Sequence, residues 1–116
     1  MDVGIGLPNT IPGTDGRLLV EWARRADAGP FSTLGVLDRL AYDAIDPFVA
    51  LAAAAGVTER IGLATMIAIG PLRNTALLVR QAASVDALSG GRFTLGLEAI
   101  GPHGPTRYLT PYRSQA

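Results

Sequence analysis

The chain has 116 residues, of which 48% are hydrophobic and 17% charged, and this composition suits one compact domain with a buried core. Ten basic and ten acidic side chains balance, so charge gives no reason to expect nucleic acid or an anionic membrane as a partner. The longest nearly apolar stretches are about a dozen residues, shorter than the roughly 20 that a membrane-spanning helix needs. The amino terminus lacks the basic region of a secretory signal. Cysteine is absent, which excludes disulfides and thiolate metal sites and is compatible with a cytoplasmic location.

The first third of the chain predicts two strands separated by a helix. The apolar run at residues 3–7, bounded by a loop rich in turn residues, predicts a buried strand. Thr14 or Asp15 can cap the helix that follows, and Gly29 with Pro30 ends it through a left-handed glycine cap. Residues 31–38 predict the second strand. The buried face of the helix is expected to hold Leu19, Trp22, Ala23 and Ala26.

The middle of the chain predicts a second helix and a third strand. Asp46 and Pro47 form a strong helix start, since the carboxylate can cap backbone amides and proline has no amide to leave unpaired. Gly56 closes this alanine-rich helix. Residues 60–69 are apolar on both alternating sets, which is typical of a strand covered on two faces and favours parallel neighbours.

A third helix and a fourth strand complete the pattern. Asn74 is the predicted cap, and Gly90 with Gly91 ends the helix. Residues 92–98 predict the strand. The buried stripe of this helix is expected to contain Leu78, Ala82, Val85 and Leu88.

Strands and helices therefore alternate, which predicts an α/β fold with parallel strands and right-handed crossovers. We expect one βαβαβαβ domain over residues 1–98 and an irregular tail over 99–116, which contains the one histidine, His103. Phosphate-binding, dinucleotide-binding and nucleophile-turn motifs are absent, as is a histidine cluster that could bind a metal.

Four segments also resemble a known protein family, because they occur in the same order and with the same spacing as in members of that family. They are GIGLP, ARRADAGPFSTLGVLDRLAYD, DPFVALAAAAGVTERIGLAT and PLRNTALLVRQAASVDALSGGRFTLGL. The chain resembles the luciferase-like flavin-dependent oxidoreductases, which include bacterial luciferase and relatives that use flavin mononucleotide (FMN) or a deazaflavin.

The resemblance covers nearly all of residues 3–97 and implies a TIM (βα) barrel, which typically takes about 250 residues. This chain has enough for half of such a barrel, with four parallel strands, three helices and the irregular tail. The sequence departs from the family after Leu97. Either a truncation or frame shift, or a natural half-barrel, would account for this departure.

In such barrels the chemistry gathers at the carboxyl ends of the strands. Asp38 and Arg39 close the second strand, where many relatives have Asp-His. The resemblance implies that the second residue of this pair lies near the reactive part of the flavin. The arginine could hold an anionic flavin or a carboxylate but is a poor proton shuttle. The alternative is an Asp–Arg ion pair that only orders a loop. Glu98, at the end of the fourth strand, is a third catalytic candidate. It is either a carboxylate that acts on the substrate, or a residue that is exposed or caps the tail.

The resemblance places Thr65, Met66 and Ile67 behind the flavin ring, as cofactor-binding residues in a backbone bulge with a non-proline cis bond at Met66–Ile67. Because such a bond costs about 3 to 4 kcal/mol, we expect ordinary trans geometry here. Arg73 and Asn74 are expected to form a turn and a helix cap first, and ligand groups second.

The resemblance implies an FMN- or 5-deazaflavin-dependent oxidoreductase or monooxygenase acting on a small-molecule substrate. Cofactor binding by this chain alone is expected to be weak or absent, since βα barrels most often hold phosphate after the seventh and eighth strands. The alternative function is a non-catalytic half-barrel scaffold or assembly module. Exposed strand edges favour pairing with another chain, so a homo-oligomer is expected.

Overall fold

The computed structural model describes residues 1–98, in which strands and helices alternate in the predicted order. The predicted tail over 99–116, with His103, lies outside the described residues. The elements are β1 (Gly4–Gly6), α1 (Gly16–Ala28), β2 (Thr33–Val36), α2 (Pro47–Val57), β3 (Gly62–Thr65), β4 (Ala68–Ile69), a 3₁₀ turn (Gly70–Leu72), α3 (Thr75–Leu88), β5 (Phe93–Thr94) and β6 (Leu97–Glu98).

Four strands form one parallel sheet in the order β1-β2-β3-β5. Ile5 lies opposite Leu34, and Leu63 lies opposite both Leu34 and Phe93. The predicted α/β half-barrel, with four parallel strands and three helices, is confirmed. The third and fourth predicted strands are each interrupted, and their distal pieces β4 and β6 pair in parallel as a separate two-stranded sheet.

The core lies between the three helices and one face of the sheet. Along β2, Leu34 and Val36 are buried toward the helices, whereas Thr33 and Gly35 alternate with them and are half-buried on the opposite face. Complete burial of a leucine side chain contributes about 1.5 to 3 kcal/mol, so this shared core provides most of the stability. Its members from the three helices include Leu19, Ala23, Ala26, Phe48, Leu51, Ala54, Leu78 and Val85.

The predicted caps at the helix starts are confirmed, whereas Gly56 lies within α2, which ends at Val57. Asp15 accepts a hydrogen bond from the Arg17 amide, and Asn74 accepts one from the Leu77 amide. Gly90 and Gly91 follow α3 with φ angles of 66° and 86°, the left-handed conformation that glycine adopts without steric cost. The left-handed cap predicted for Gly29 is wrong, because this residue ends α1 with φ −91° in extended backbone.

Two residues expected in the core are exposed. Trp22 is 38% exposed, since the buried stripe of α1 runs through Leu19, Ala23 and Ala26 and leaves the tryptophan at its margin. Leu88 is 63% exposed, and Ser89, four residues after Val85, is the buried residue in its place. At the end of α3 the next buried residue therefore follows Val85 by four positions, and not by the three that the prediction assumed.

Asp27 and Arg60 tie the end of α1 to the segment that enters β3, at the amino edge of the sheet. The Arg60 guanidinium donates to the carbonyl oxygens of Asp27 (3.0 Å), Gly29 (3.0 Å) and Phe31 (2.8 Å). Burial disfavours the Asp27 charge, but hydrogen bonds from three backbone amides and the charge of Arg60 outweigh it, so the pKa of Asp27 is lowered. Those amides belong to Glu59, Arg60 and Ile61.

Candidate functional site

At the carboxyl edge of the sheet, Asp38 is bound by groups from the third predicted strand and the turn beyond it. Its Oδ2 accepts hydrogen bonds from the Ile69 amide (2.9 Å) and from Nε of Arg73 (3.1 Å). Its Oδ1 accepts a second bond from the same guanidinium, at 2.9 Å. The Asp38 side chain is 1% exposed and that of Arg73 12% exposed, so the two form a buried, bidentate ion pair.

Arg73 also contacts the beginning of α2. Its Nη2 lies 3.3 Å from Oδ1 of Asp46, whose Oδ2 caps the helix by accepting from two backbone amides. The guanidinium carbon lies 4.9 Å from the centre of the Phe48 ring, within range of a cation–π contact. Burial disfavours the charge of Arg73, but the hydrogen bonds and charges of Asp38 and Asp46 outweigh it, and the pKa of Arg73 is raised.

The expected pairing of Asp38 with Arg39 is not formed. Arg39 is exposed, and its guanidinium lies 5.4 Å from the centre of the Tyr42 ring. Asp38 instead takes Arg73 as its partner, because the Asp38 carboxylate is buried beneath the edge where the arginine after the 3₁₀ turn reaches it. A permanently charged side chain therefore remains at the surface one residue beyond the buried carboxylate.

Thr65 bridges the interruption in both strands. Its hydroxyl donates to the Gly96 carbonyl at 2.7 Å and accepts from the Gly96 amide at 2.9 Å, between the ladder of β3 with β5 and that of β4 with β6. A Cβ at Gly96 would collide with the Thr65 carbonyl oxygen, so only glycine fits there. The Thr65 side chain is buried, and both bonds of its hydroxyl go to Gly96, in the gap between β5 and β6.

The peptide bond between Met66 and Ile67 is cis, so the expected trans geometry is wrong and the geometry implied by the resemblance is present. Hydrogen bonds fix the backbone on either side: the Met66 amide donates to the carbonyl of Val36 in β2 (2.7 Å), and the Ala68 amide to the carbonyl of Gly96 (2.8 Å). Met66 is 59% exposed, and its side chain lies over Gly35, where a Cβ would come within 2.9 Å of the Met66 Cγ.

An open groove of about 750 Å³ lies on the sheet face that the helices leave uncovered. Its floor is largely backbone, because Gly4, Gly6 and Gly35 contribute no side chains there. Leu7, Leu37 and Met66 line it at the carboxyl end of the strands, and Asp2, Ser32 and Thr33 at the other end. A mostly apolar groove of this size with a few polar groups is typical of small-molecule sites.

The sequence matches the family model for luciferase-like monooxygenases over residues 1–105. The chain belongs to this family. An uncharacterized protein from Mycobacterium tuberculosis is 42% identical over 53 residues, which are 46% of this chain and 19% of that relative. The matched segment of this luciferase-like chain therefore covers about a fifth of the length of that curated relative.

Two solved structures share the fold of this luciferase-like chain. The coenzyme F420 dependent tetrahydromethanopterin reductase from Methanopyrus kandleri is 22% identical, with a TM-score of 0.76 over 96% of this chain and 30% of its own. The oxygenating constituent of 3,6-diketocamphane monooxygenase from Pseudomonas putida, in complex with FMN, is 24% identical, with a TM-score of 0.73 over 89% of this chain and 31% of its own.

Two of the predicted site residues, Asp38 and Glu98, are each paired with Ile69. Asp38 accepts from the Ile69 amide, while half-buried Glu98 is the strand partner of Ile69 in the pair β4 and β6. Thr65, Met66 and Ile67 lie directly before that pair. The candidates on three strands thus occupy one edge, and Arg39 lies on the surface beside them.

The sequence interpretation missed Asn9, a buried residue of the loop after β1. Its Nδ2 donates to the carbonyls of Leu37 (2.7 Å) and Ile45 (3.0 Å), and its Oδ1 accepts from the Leu37 amide (3.2 Å). Asn9 therefore fixes the backbone immediately before Asp38. Its position in a turn-rich loop carried no periodic signal of burial.

The described residues contain no helix long and apolar enough to cross a bilayer. Across residues 1–98, no group of three or more histidine, cysteine, aspartate or glutamate side chains could hold a metal ion.

Proposed function

We propose that this chain forms the flavin-facing wall of a luciferase-like oxidoreductase or monooxygenase that uses FMN or a 5-deazaflavin such as F420. The observation that carries the proposal is the groove over the bare glycine face, with Met66 at its carboxyl end. Family membership and the FMN or F420 named for two structural neighbours give the cofactor class.

The groove suits a flat ring system. Among the described residues, no atom lies within 4 Å of the position that a Cβ at Gly6 would take, so open space extends above this floor. The lining consists mainly of backbone and of the apolar side chains of Leu7, Leu37 and Met66. Such a surface can stack against a planar heterocycle. The donors and acceptors of Ser32 and Thr33 lie at the opposite end.

A bound flavin or deazaflavin would supply the hydride or oxygen chemistry, and this chain would supply placement and exclusion of water. The apolar side chains of Met66 and Leu37 would shield a bound ring from water at one end of the groove. Arg39 offers a permanent positive charge to an anionic ring or substrate group at the same edge, and Glu98 offers a carboxylate. Asp38 acts by holding the Ile69 amide, because its two oxygens are occupied by that amide and by Arg73.

Titration with FMN and with F420, followed by fluorescence, tests the proposal. Gly6→Leu fills the groove without a backbone clash and is expected to abolish saturable quenching. Gly56→Leu is the matched control, since Gly56 lies on the exposed surface of α2 and, within residues 1–98, a Cβ there has no neighbour within 4 Å. Quenching that is saturable at micromolar ligand in the wild type and in Gly56→Leu, and absent in Gly6→Leu, supports the proposal.

The alternative, a non-catalytic scaffold, has one observation in its favour. The buried polar candidates Asp38 and Thr65 direct their bonds into the fold, toward Arg73, Ile69 and Gly96. Absence of quenching by either cofactor at millimolar concentration would reject the flavin proposal and favour the scaffold. Equal saturable quenching in the wild type and in both glycine variants would show that the groove has no part in cofactor binding.

Self-association through strand edges stays a prediction, as does the cytoplasmic location. Within residues 1–98, β1 and β5 are the outer strands of the sheet, and each pairs with one strand there. Outer strands of this kind favour pairing with a second chain. Size-exclusion chromatography with light scattering decides the point, and a mass of 12.1 kDa for the 116-residue chain would contradict self-association.

A further inference from the structure

The backbone over residues 66–69 is held at three amides, and one of them depends on a side chain. The Met66 amide donates to the carbonyl of Val36 in β2, and the Ala68 amide to the carbonyl of Gly96, between β5 and β6. The Ile69 amide donates to Oδ2 of Asp38 at 2.9 Å. The position of Ile69 therefore depends on the orientation of that carboxylate.

The orientation of Asp38 depends in turn on Arg73. A carboxylate with 1% exposure is stable in place only when a charge partner and hydrogen bonds replace its water. Arg73 supplies both, through two bonds of 3.1 and 2.9 Å to different oxygens. Without the guanidinium, the carboxylate would turn toward solvent and release the Ile69 amide.

Arg73 is itself held by two residues at the beginning of α2. Asp46, the cap of α2, lies 3.3 Å from its Nη2, and the Phe48 ring lies under its guanidinium carbon at 4.9 Å. We infer that Arg73 is a positioning residue, which transmits the placement of α2 through Asp38 to the segment 66–69 that borders the groove. Its link to cofactor binding rests on the proposed function, since Met66 of this segment lines the groove.

Amide hydrogen exchange of the full chain, measured by NMR, tests the inference without a ligand. In Arg73→Gln we expect the Ile69 amide to exchange about tenfold faster or more, relative to core amides of the same variant, because a hydrogen bond to a charged group is lost locally. Arg60→Gln is the matched control. Arg60 stabilises the opposite edge by donating to backbone carbonyls. Its loss should therefore accelerate amide exchange, but no more at Ile69 than at the core amides.

Arg73→Lys separates charge from geometry. Lysine keeps the positive charge but cannot donate the two parallel bonds of a guanidinium, so selective exchange at Ile69 is expected here as well. If Arg73→Gln fails to fold, Arg73→Lys compared with Arg60→Lys provides the same contrast. Exchange at Ile69 that rises only in step with the core amides in the Arg73 variants would overturn the inference.

The cofactor titration adds a second readout. If the wild type binds FMN or F420, Arg73→Gln should weaken the affinity about tenfold, whereas Arg60→Gln should leave it within about twofold. Equal losses in both variants would overturn the positioning role. If the wild type binds neither cofactor, the proposed function fails, and the exchange measurement still decides whether Arg73 positions Ile69.

Discussion

The two edges of the sheet are both held by an arginine and an aspartate, but with different partners. At the amino edge, Arg60 donates to backbone carbonyls and Asp27 accepts from backbone amides. At the carboxyl edge, Arg73 and Asp38 bind each other, and Asp38 accepts one backbone amide in addition. The first arrangement completes the hydrogen bonds of helix and strand ends, and the second keeps two charges buried beside the candidate site.

The difference matches the general division of roles between the two edges of a βα barrel. In βα barrels the carboxyl edge carries the chemistry and the amino edge carries stability. Arg60 and Asp27 connect α1 to β3 through backbone hydrogen bonds, and these bonds can form at an exposed position. A buried charge pair loses its hydration, so it often stabilises a fold no more than apolar side chains of similar volume would. Its presence at the carboxyl edge therefore fits a role in fixing the geometry of the segment 66–69.

Removing one member of the buried pair should have the largest effect. Asp38→Ala leaves Arg73 half-paired and the Ile69 amide without its acceptor, so we expect a loss of about 3 kcal/mol in the free energy of unfolding. Asp27→Ala, at the amino edge, should cost about 1 to 2 kcal/mol because water can reach the amides it leaves. Urea denaturation measures both, and a larger loss for Asp27→Ala would reverse the comparison.

The close contact between the interrupted strands comes next in size. In Gly96→Ala, the added methyl group collides with the Thr65 carbonyl and approaches the Ile67 side chain at 2.9 Å, and overpacking of this kind costs about 1 to 3 kcal/mol. Gly16→Ala, at the first residue of α1, is the control, since among the described residues nothing lies within 4 Å of its Cβ position. Equal melting temperatures for the two variants would contradict the steric account.

The amino edge should show its own dependence on pH. The pKa of Asp27 is lowered by its hydrogen bonds, whereas an unfolded aspartate titrates at about 3.9. Its stabilising contribution is therefore complete above that value and is lost as the pH falls through the folded-state pKa. The advantage of wild type over Asp27→Asn, about 1 kcal/mol at neutral pH, should shrink below about pH 4. An advantage that stays constant from pH 6 to pH 3 would exclude this role for the carboxylate.

Sequence reasoning recovered the order of strands and helices along the chain and the starts of the helices, because these depend on local signals. Continuous apolar runs indicated buried parallel strands, and the caps Asp15, Asp46 and Asn74 were identifiable from the residue type that accepts backbone amides. The interruption of the third strand carried no such signal, since residues 60–69 form one apolar run. The bulge was expected there from the family resemblance alone.

The site was less predictable, because its partners are distant in the chain. Asp38 and Arg73 are separated by 35 positions, and nothing in either local pattern indicates that they meet. The adjacent Arg39 was the natural partner by proximity in sequence. Periodicity places a residue on a face, but the choice between two arginines depends on which side chain reaches a buried carboxylate after the strands have packed.

An exposed pair on α1 provides the smallest expected effect and tests whether burial is what distinguishes the carboxyl edge. Glu21 accepts from Nε of Arg25 at 3.0 Å, a distance like those between Asp38 and Arg73. The Arg25 and Glu21 side chains are 82% and 47% exposed, so water and salt screen their attraction. Glu21→Gln should change the free energy of unfolding by less than about 0.5 kcal/mol. A loss as large as that of Asp38→Ala would show that ion-pair geometry, and not burial, sets the strength of these contacts.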